Sequence, residues 1–458
     1  MIDMSTVFAF LRYCLGYKGD MSRVMAGMDW QMLYSFASKQ ALLGLCFEGI
    51  ERLGEEYPDE LRLNPIGREL LMTWMGKAQQ IRRQNRKVNL VASKLFSMLR
   101  EDGMRCCVLK GQGNALMYPN PYSRTPGDID VWIDASRERI MEYAQKKFEL
   151  EDDIRLQHLE TSLDGVPVEL HFFPCSMNNP IYHARLQKWF RRNADLQCSH
   201  IVGLPDETGD IAIPTTAFNV IYQLTHLYHH FFDEGIGMRQ IIDYFLVVND
   251  FSKNVFLNND LSNHPVNFSN HPVPLSKEGS TFSPSPSSSG SGDVTAPSRC
   301  SEPLRSKDGG PSKVSPDCAG WDRLAIEEDN SVGSTTTVTS SASTALVVVQ
   351  RELKYLGLWK FAGAVMYVLH EALGLTEEKM IAPMDEKRGK LLLAEILNGG
   401  NFGRHFTKYG HFTQQGMAKK YFLKIWRNMH FLRYYPAEAL SEPIFRTLHF
   451  FWRLKHRR

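Results

Sequence analysis

The sequence has little of several features that sort a chain quickly into a class. Its eight cysteines, at 14, 46, 106, 107, 175, 198, 300 and 318, are scattered without the C-x-x-C pairs that a structural zinc site needs, and this fits a reducing compartment. An excess of charge of one sign is also missing. Lys and Arg number 53 against 51 Asp and Glu, a formal net charge of +2, so the bulk field selects no nucleic-acid partner and any basic surface is local. Long hydrophobic runs are absent as well: the longest uncharged apolar stretches, such as 244–248 and 345–349, fall far short of the roughly 20 residues that cross a bilayer. Residues 1–18 are interrupted by Asp3, Arg12 and Lys18 with no small-residue cleavage pattern after them, so no secretory leader is expected. The expectation is a soluble, cytoplasmic protein of two or three domains with an ordinary globular composition and a large core.

What the sequence does contain is a change of hydrophobic period. Over residues 1–100 apolar positions recur at three and four, with Trp30, Leu33, Phe36 and Ala37 on one stripe and Leu42, Leu45 and Ile50 extending it, which is helical spacing. Residues 63–101 read as one long helix or two, with Lys77, Arg82, Arg83, Arg86 and Lys87 on a solvated side. Short apolar runs follow at 105–109, 129–133, 154–161 and 166–173, and Asp164-Gly165 between the last two is a hairpin signal. Helices are predicted between runs at 112–118, stopped by Pro119 and Pro121, and at 136–148, capped by Ser136. The order β-α-β-α-β-β makes a small mixed sheet flanked by helices, an α+β fold. Helical spacing returns after Thr215, and 217–248 divides into two helices at 235–237. About half of residues 251–344 are Ser, Thr, Pro, Gly or Asn, too little apolar surface to offset ordering entropy, so a disordered insertion is expected. The predicted organisation is a helical region at 1–103, a sheet core at 104–214, a helical region at 215–250, the insertion at 251–344 and a C-terminal helical region with a basic tail at 345–458.

If 129–133 is a strand, Asp128 and Asp130 flank Ile129 and project from one face at its leading edge. Two carboxylates so placed make a hard-oxygen site for Mg²⁺, or Mn²⁺, an ion that neutralises phosphate charge and aligns it for in-line attack. Three neighbours support that reading. Leu109-Lys110-Gly111-Gln112-Gly113 leads a strand through a glycine turn into a helix, where backbone N–H groups can hold a phosphate. Arg124, on a Pro-bounded loop, can reach the same phosphate oxygens as Lys110. Val168-Glu169-Leu170-His171 places Glu169 and His171 on one strand face, where a carboxylate serves as a third metal ligand or as a base for an attacking hydroxyl. A charged side chain in an interior strand needs a partner, and a metal supplies it.

Taken in order, Leu109-Lys110-Gly111, Tyr118-Pro119, Arg124, Gly127-Asp128-Ile129-Asp130 and Glu169-x-His171 resemble the uncharacterised nucleotidyltransferase family found in bacteria, a branch of the polymerase-β-like superfamily. Superfamily members carry a Gly-Gly or Gly-Ser turn, a following Asp-x-Asp and a later single carboxylate. Here Lys110-Gly111-Gln112 stands at the turn, so the phosphate grip rests on Lys110 and helix N–H groups. The resemblance extends to the Trp30 region, to His226 through Asp243 and to Gly399-Gly400-Asn401-Phe402-Gly403. It implies that Asp128, Asp130 and Glu169 are the metal-binding and catalytic residues, with Lys110, Gly111, Gly113, Arg124 and His171 around the nucleotide. The implied reaction moves a nucleoside monophosphate from a nucleoside triphosphate such as ATP to a hydroxyl acceptor, with pyrophosphate leaving. Base and acceptor are unspecified.

Other signals carry less. His226 and His230 share a helix face, but no glutamate completes a zinc-protease pattern. His226, Arg239 and Asp243 are expected to line a cleft opposite the sheet, set against a plain Arg239–Asp243 helix pair. Residues 398–404 read as a helix end rather than a phosphate loop. Residues 417–458 hold ten Lys or Arg against two acidic residues, interleaved with aromatics such as Trp426 and Phe431. An amphipathic packing helix is favoured there over a nucleic-acid surface. Two alternatives stand beside nucleotidyl transfer. A metal-dependent glycosyltransferase using a nucleotide-sugar should lack a strand-borne Glu169 at the Asp-x-Asp metal, and a non-catalytic nucleotide-binding scaffold would bind without turnover.

Overall fold

The computed structural model describes residues 3–150, 155–260, 341–405 and 417–456, so most of the expected insertion, from 261 to 340, lies outside the described residues. The N-terminal region is helical: α1 (Met4–Cys14), α2 (Ser22–Ala26), α3 (Trp30–Lys39), α4 (Leu43–Glu56), α5 (Pro58–Leu63) and α6 (Arg68–Glu101). Asp3 and Asp29 cap α1 and α3 by accepting from Ser5 N and Met32 N, first-turn donors with no partner inside a helix. α6 is a single helix of 34 residues, about 51 Å long. Its buried positions Trp74, Ala78, Asn85, Val88, Ala92, Leu95 and Leu99 keep three-, four- or seven-residue spacing, so one face stays unbroken. On its polar side Arg82 pairs with Glu48 (2.8 Å) and Glu51.

Then come β1 (Cys106–Leu109), α7 (Gly111–Ala115), β2 (Ile129–Ile133), α8 (Arg137–Lys147), β3 (His158–Leu163) and β4 (Val166–His171), in the expected alternation. The strands lie in the order β1-β2-β4-β3, with β2 and β4 parallel and the outer pairs antiparallel, an α+β arrangement. Asp164 (φ 50°) and Gly165 (φ 71°) form the tight β3–β4 turn, where both central residues must be left-handed. Ser136 caps α8, accepting from Arg139 N at 3.3 Å. One sheet face, with Val108, Ile129, Val131, Val168 and Leu170, shares a core with Leu95 and Leu99 of α6 and Ile140 of α8. The other face carries Trp132, which stacks on Phe218 at 6.2 Å, and next to it the polar residues Asp130, Glu169 and His171.

The chain continues through α9 (Pro180–Ser199), β5 (Ile201–Gly203), β6 (Asp210–Ala212), α10 (Thr216–Asp233), α11 (Met238–Asp260), α12 (Ser341–Tyr355), α13 (Trp359–Leu373), α14 (Glu386–Gly399), α15 (Met417–Met429) and α16 (Pro436–His456). Several expectations are corrected. α7 ends at Ala115, three residues short of Tyr118. α11 runs ten residues past position 250 and α12 starts at Ser341, so both borders of the expected insertion are helical. The pattern from Met417 onward breaks into two helices between Met429 and Pro436. α9 and the β5–β6 hairpin had no counterpart in the sequence reading. Part of the basic tail points inward: Lys424 and Arg446 bind Asp233 (2.9 and 2.8 Å), and Arg427, 1% exposed, donates to Phe231 O. No described helix is long and apolar enough to cross a membrane.

Candidate functional site

Strand register assembles the site. Asp130 stands opposite Glu169 in the β2–β4 pair, and His158 stands opposite His171 in the β3–β4 pair. Side chains two apart on a strand share a face, so these four crowd one side of the sheet. Asp128, water-exposed just ahead of β2, joins them. One carboxylate oxygen from each of Asp128, Asp130 and Glu169 lies within 4.8 Å of the other two. Oxygen donors so close together suit a hard divalent cation. His158, Glu169 and His171 meet the same distance limit. His171 Nε2 is 3.0 Å from Asp130 Oδ1 and 3.1 Å from Glu169 Oε2, so its N–H is shared between two carboxylates. His171 is buried against these two carboxylates and is also part of the cavity lining.

Like charges at this spacing perturb one another. The nearby Asp130 charge pushes Asp128 up to about 6, while Lys110 opposes the rise. Burial alone would raise Asp130, but Lys110 and His171 outweigh it and hold that carboxyl well below the usual range. Burial lowers His171, and its bonds to Asp130 and Glu169 reverse this and raise it to about 9. Lys110 Nζ lies 3.0 Å from Asp130 Oδ1 and 3.1 Å from His226 Nε2. An ammonium only donates, so His226 accepts at Nε2 and carries its proton on Nδ1, which has no partner among the described residues. Burial first, then Lys110, keeps this ring neutral.

Lys110 reaches the carboxylates from a strained backbone, φ 52° and ψ −130°, followed by Gly111 at φ 39°. The helix after it has five residues, and its side chains turn inward: Gln112 binds Asn89, and Asn114 and Gln223 exchange bonds of 2.9 and 2.6 Å. Lys110 and Gly111 line the cavity, whereas Gly113 packs against Ile213, where a Cβ would come within 3.0 Å.

Across the cavity, Arg124 and Asp243 form a two-pronged ion pair at 2.9 and 2.8 Å, with side chains 4% and 7% exposed, and Tyr118 donates to the same carboxylate at 2.7 Å. Arg124 is therefore fixed on Asp243, and its buried Nη1 has no partner among the described residues. Asp243 pairs with Arg124, whereas the sequence sets a plain Arg239–Asp243 helix pair only as the alternative to a shared cleft. Arg239 Nη1 donates to Thr125 O at 3.1 Å and its Nε has no partner among the described residues. Two guanidinium groups against one carboxylate leave this wall positive. The cavity has a volume of about 270 Å³, and its lining includes His226, Arg239 and Asp243 together with Arg155, His158, His230, Phe402 and Arg404.

A family model described as "Uncharacterised nucleotidyltransferase" matches residues 26–262, more than half of the chain. The chain belongs to that nucleotidyltransferase family. No curated protein matches it. The family's span holds the carboxylate trio, Lys110 and the Arg124–Arg239 wall, while α12 to α16 and the loop bearing Phe402 lie beyond it. Several site residues escaped sequence reasoning. His158 shares period-two alternation with Glu160, a visible signal, but only the β3–β4 register shows what it faces. Gln157, whose amide is held by Pro174 O at 3.1 Å and lies 3.4 Å from His171 Nδ1, carries no sequence signal at all.

Proposed function

We propose that this nucleotidyltransferase moves a nucleoside monophosphate from a nucleoside triphosphate, ATP among them, to a hydroxyl acceptor in the presence of Mg²⁺ or Mn²⁺, releasing pyrophosphate. The observation that carries this reading is the convergence of Asp128, Asp130 and Glu169 within 4.8 Å on a cavity also lined by Lys110, Arg124 and Arg239. The donor set fits such an ion: three carboxylates against Lys110 and His171 leave a net negative charge made of oxygen ligands. Held by Asp128, Asp130 and Glu169, the ion would neutralise phosphate charge and polarise the phosphoryl group under attack.

The chain's own groups do the rest. Lys110 and the N–H donors of Arg124 and Arg239 that have no partner among the described residues bind the triphosphate oxygens, which fixes the phosphorus for in-line attack. His171 keeps Asp130 and Glu169 in orientation. Glu169, with Oε2 held by His171, has a second oxygen to take the acceptor's proton. The acceptor oxygen bonds to the α-phosphorus, the bond to the bridging oxygen breaks, and that oxygen leaves on pyrophosphate. Glu169 beside both aspartates weighs against the nucleotide-sugar reading, which expected no strand carboxylate there. The test is calorimetry with each nucleoside triphosphate and Mg²⁺, followed by pyrophosphate release in an acceptor screen, on the wild type and on Asp128→Asn and Asp130→Asn. Binding and turnover lost in both variants support the proposal. A wild-type protein that binds no Mg²⁺–nucleotide sinks it, and tight binding without product in any acceptor points to the scaffold.

A further inference from the structure

One wall of the cavity takes no part in the transfer step and lies outside residues 26–262. It is the loop after α14, residues 399–405. Phe402 lines the cavity with φ 53° and ψ 33°, a left-handed conformation that a bulky side chain rarely adopts. The loop is pinned there. Gly403 N donates to Gly400 O at 3.1 Å and His405 N to Gly399 O at 2.9 Å. It also meets the α10–α11 turn so closely that a Cβ on Gly237 would sit 2.7 Å from Asn401 Cα. Gly or Asn would hold such a backbone with less strain, so the ring of Phe402 needs a reason to be there.

Its surroundings supply one. Arg239 Cζ lies 5.7 Å from the ring centre and the His230 ring 5.4 Å away, tilted by 63°. Beside Arg239 on α11, Gln240 lines the same cavity and is 8% exposed. Its Oε1 accepts from Gly237 N at 2.8 Å, which fixes the amide so that Nε2 is the remaining donor, and Nε2 has no partner among the described residues. A buried donor left unmet is costly, and an acceptor brought in by a ligand satisfies it. An aromatic face and an oriented donor therefore flank the arginine that borders the phosphate wall.

We infer that Phe402 and Gln240 form the nucleobase pocket. The base stacks on Phe402, Gln240 Nε2 donates to a ring nitrogen or carbonyl oxygen of the base, and Arg239 sits between base and phosphates. The inference rests on the nucleoside triphosphate reading of this cavity and assigns the wall that reads the base. All bases offer a π face and an acceptor, so the pocket favours nucleoside over bare phosphate without choosing one base.

The test is calorimetry on the full chain with Mg²⁺, comparing ATP with inorganic tripolyphosphate. The wild type is expected to bind ATP at least roughly tenfold more tightly than tripolyphosphate, the contribution of one aromatic–base stack. Phe402→Leu keeps an apolar side chain without the stacking face and should remove most of that gap while leaving tripolyphosphate affinity unchanged. Phe402→Asn suits the left-handed backbone, so it should melt no lower than the wild type and yet lose the same ATP preference. Equal wild-type affinities for the two ligands, or unchanged ATP affinity in both variants, overturns the base pocket and leaves phosphate binding standing. A wild type that binds neither ligand removes the underlying nucleotide reading, and the pocket with it.

Discussion

Replacing Asp243 with leucine should strip a buried guanidinium of its counter-ion. In the native cavity wall the Asp243 carboxylate accepts from Arg124 at 2.9 and 2.8 Å and from Tyr118 at 2.7 Å, with both charged side chains under 8% exposed. Removing one partner of a buried pair costs about 3–5 kcal/mol, because the desolvated partner keeps its charge. Arg239, close enough to be lowered by burial and then by Arg124, adds a second uncompensated cation and places the loss towards the upper end. The folded unit of residues 1–262 and 339–458 has an unfolding entropy of roughly 0.8 kcal/mol/K, so the melting temperature should fall by about 4–6 °C in ligand-free calorimetry at pH 7. The double variant Arg124→Met/Asp243→Leu should recover much of that loss, since a buried pair exchanged for apolar groups of similar volume is often near neutral. A single variant melting within about 1 °C of the wild type would falsify the claim that this pair holds the wall together. A double variant losing as much as the two singles added would do the same.

Two further outcomes follow from packing elsewhere. Glu438 of α16 accepts from Asn178 N (2.7 Å) and Asn179 N (3.3 Å), yet burial pushes its carboxyl up to about 7 despite those bonds. The folded state thus holds this proton where the unfolded chain, at its ordinary 4.5, has released it, so stability from this group is full below pH 4.5 and declines as pH rises to about 7. Melting curves from pH 4.5 to 7.5 should show Glu438→Gln gaining on the wild type as pH rises, and a constant difference refutes the assignment. Gly237→Ala should push backbone against backbone at Asn401, costing about 1–3 kcal/mol and speeding amide exchange across 399–405. An unchanged melting temperature and exchange pattern would show that the loop does not depend on that close approach.

Short-range pattern was enough for much of this molecule. The apolar stripe of α6, the Asp164-Gly165 hairpin, the Ser136 cap and the placing of Asp128 and Asp130 at the head of β2 all follow from neighbours a few residues apart. Periodicity, turn conformation and capping are local interactions, so the chain carries them in any context. The pairing of distant segments was not legible in this way. Asp130 meets Glu169 only because β4 pairs with β2 in parallel, and a one-residue slip would turn Glu169 to the opposite face. Arg124 finds Asp243, 119 residues away, because α11 packs across the loop before β2, and no spacing rule foretells that partner. Phe402 reaches the cavity from 159 positions beyond Asp243 (402 − 243), held in a backbone conformation its own type disfavours. Those three placements were decided by packing over the whole core, where many alternative pairings satisfy the same local pattern and long-range burial selects among them.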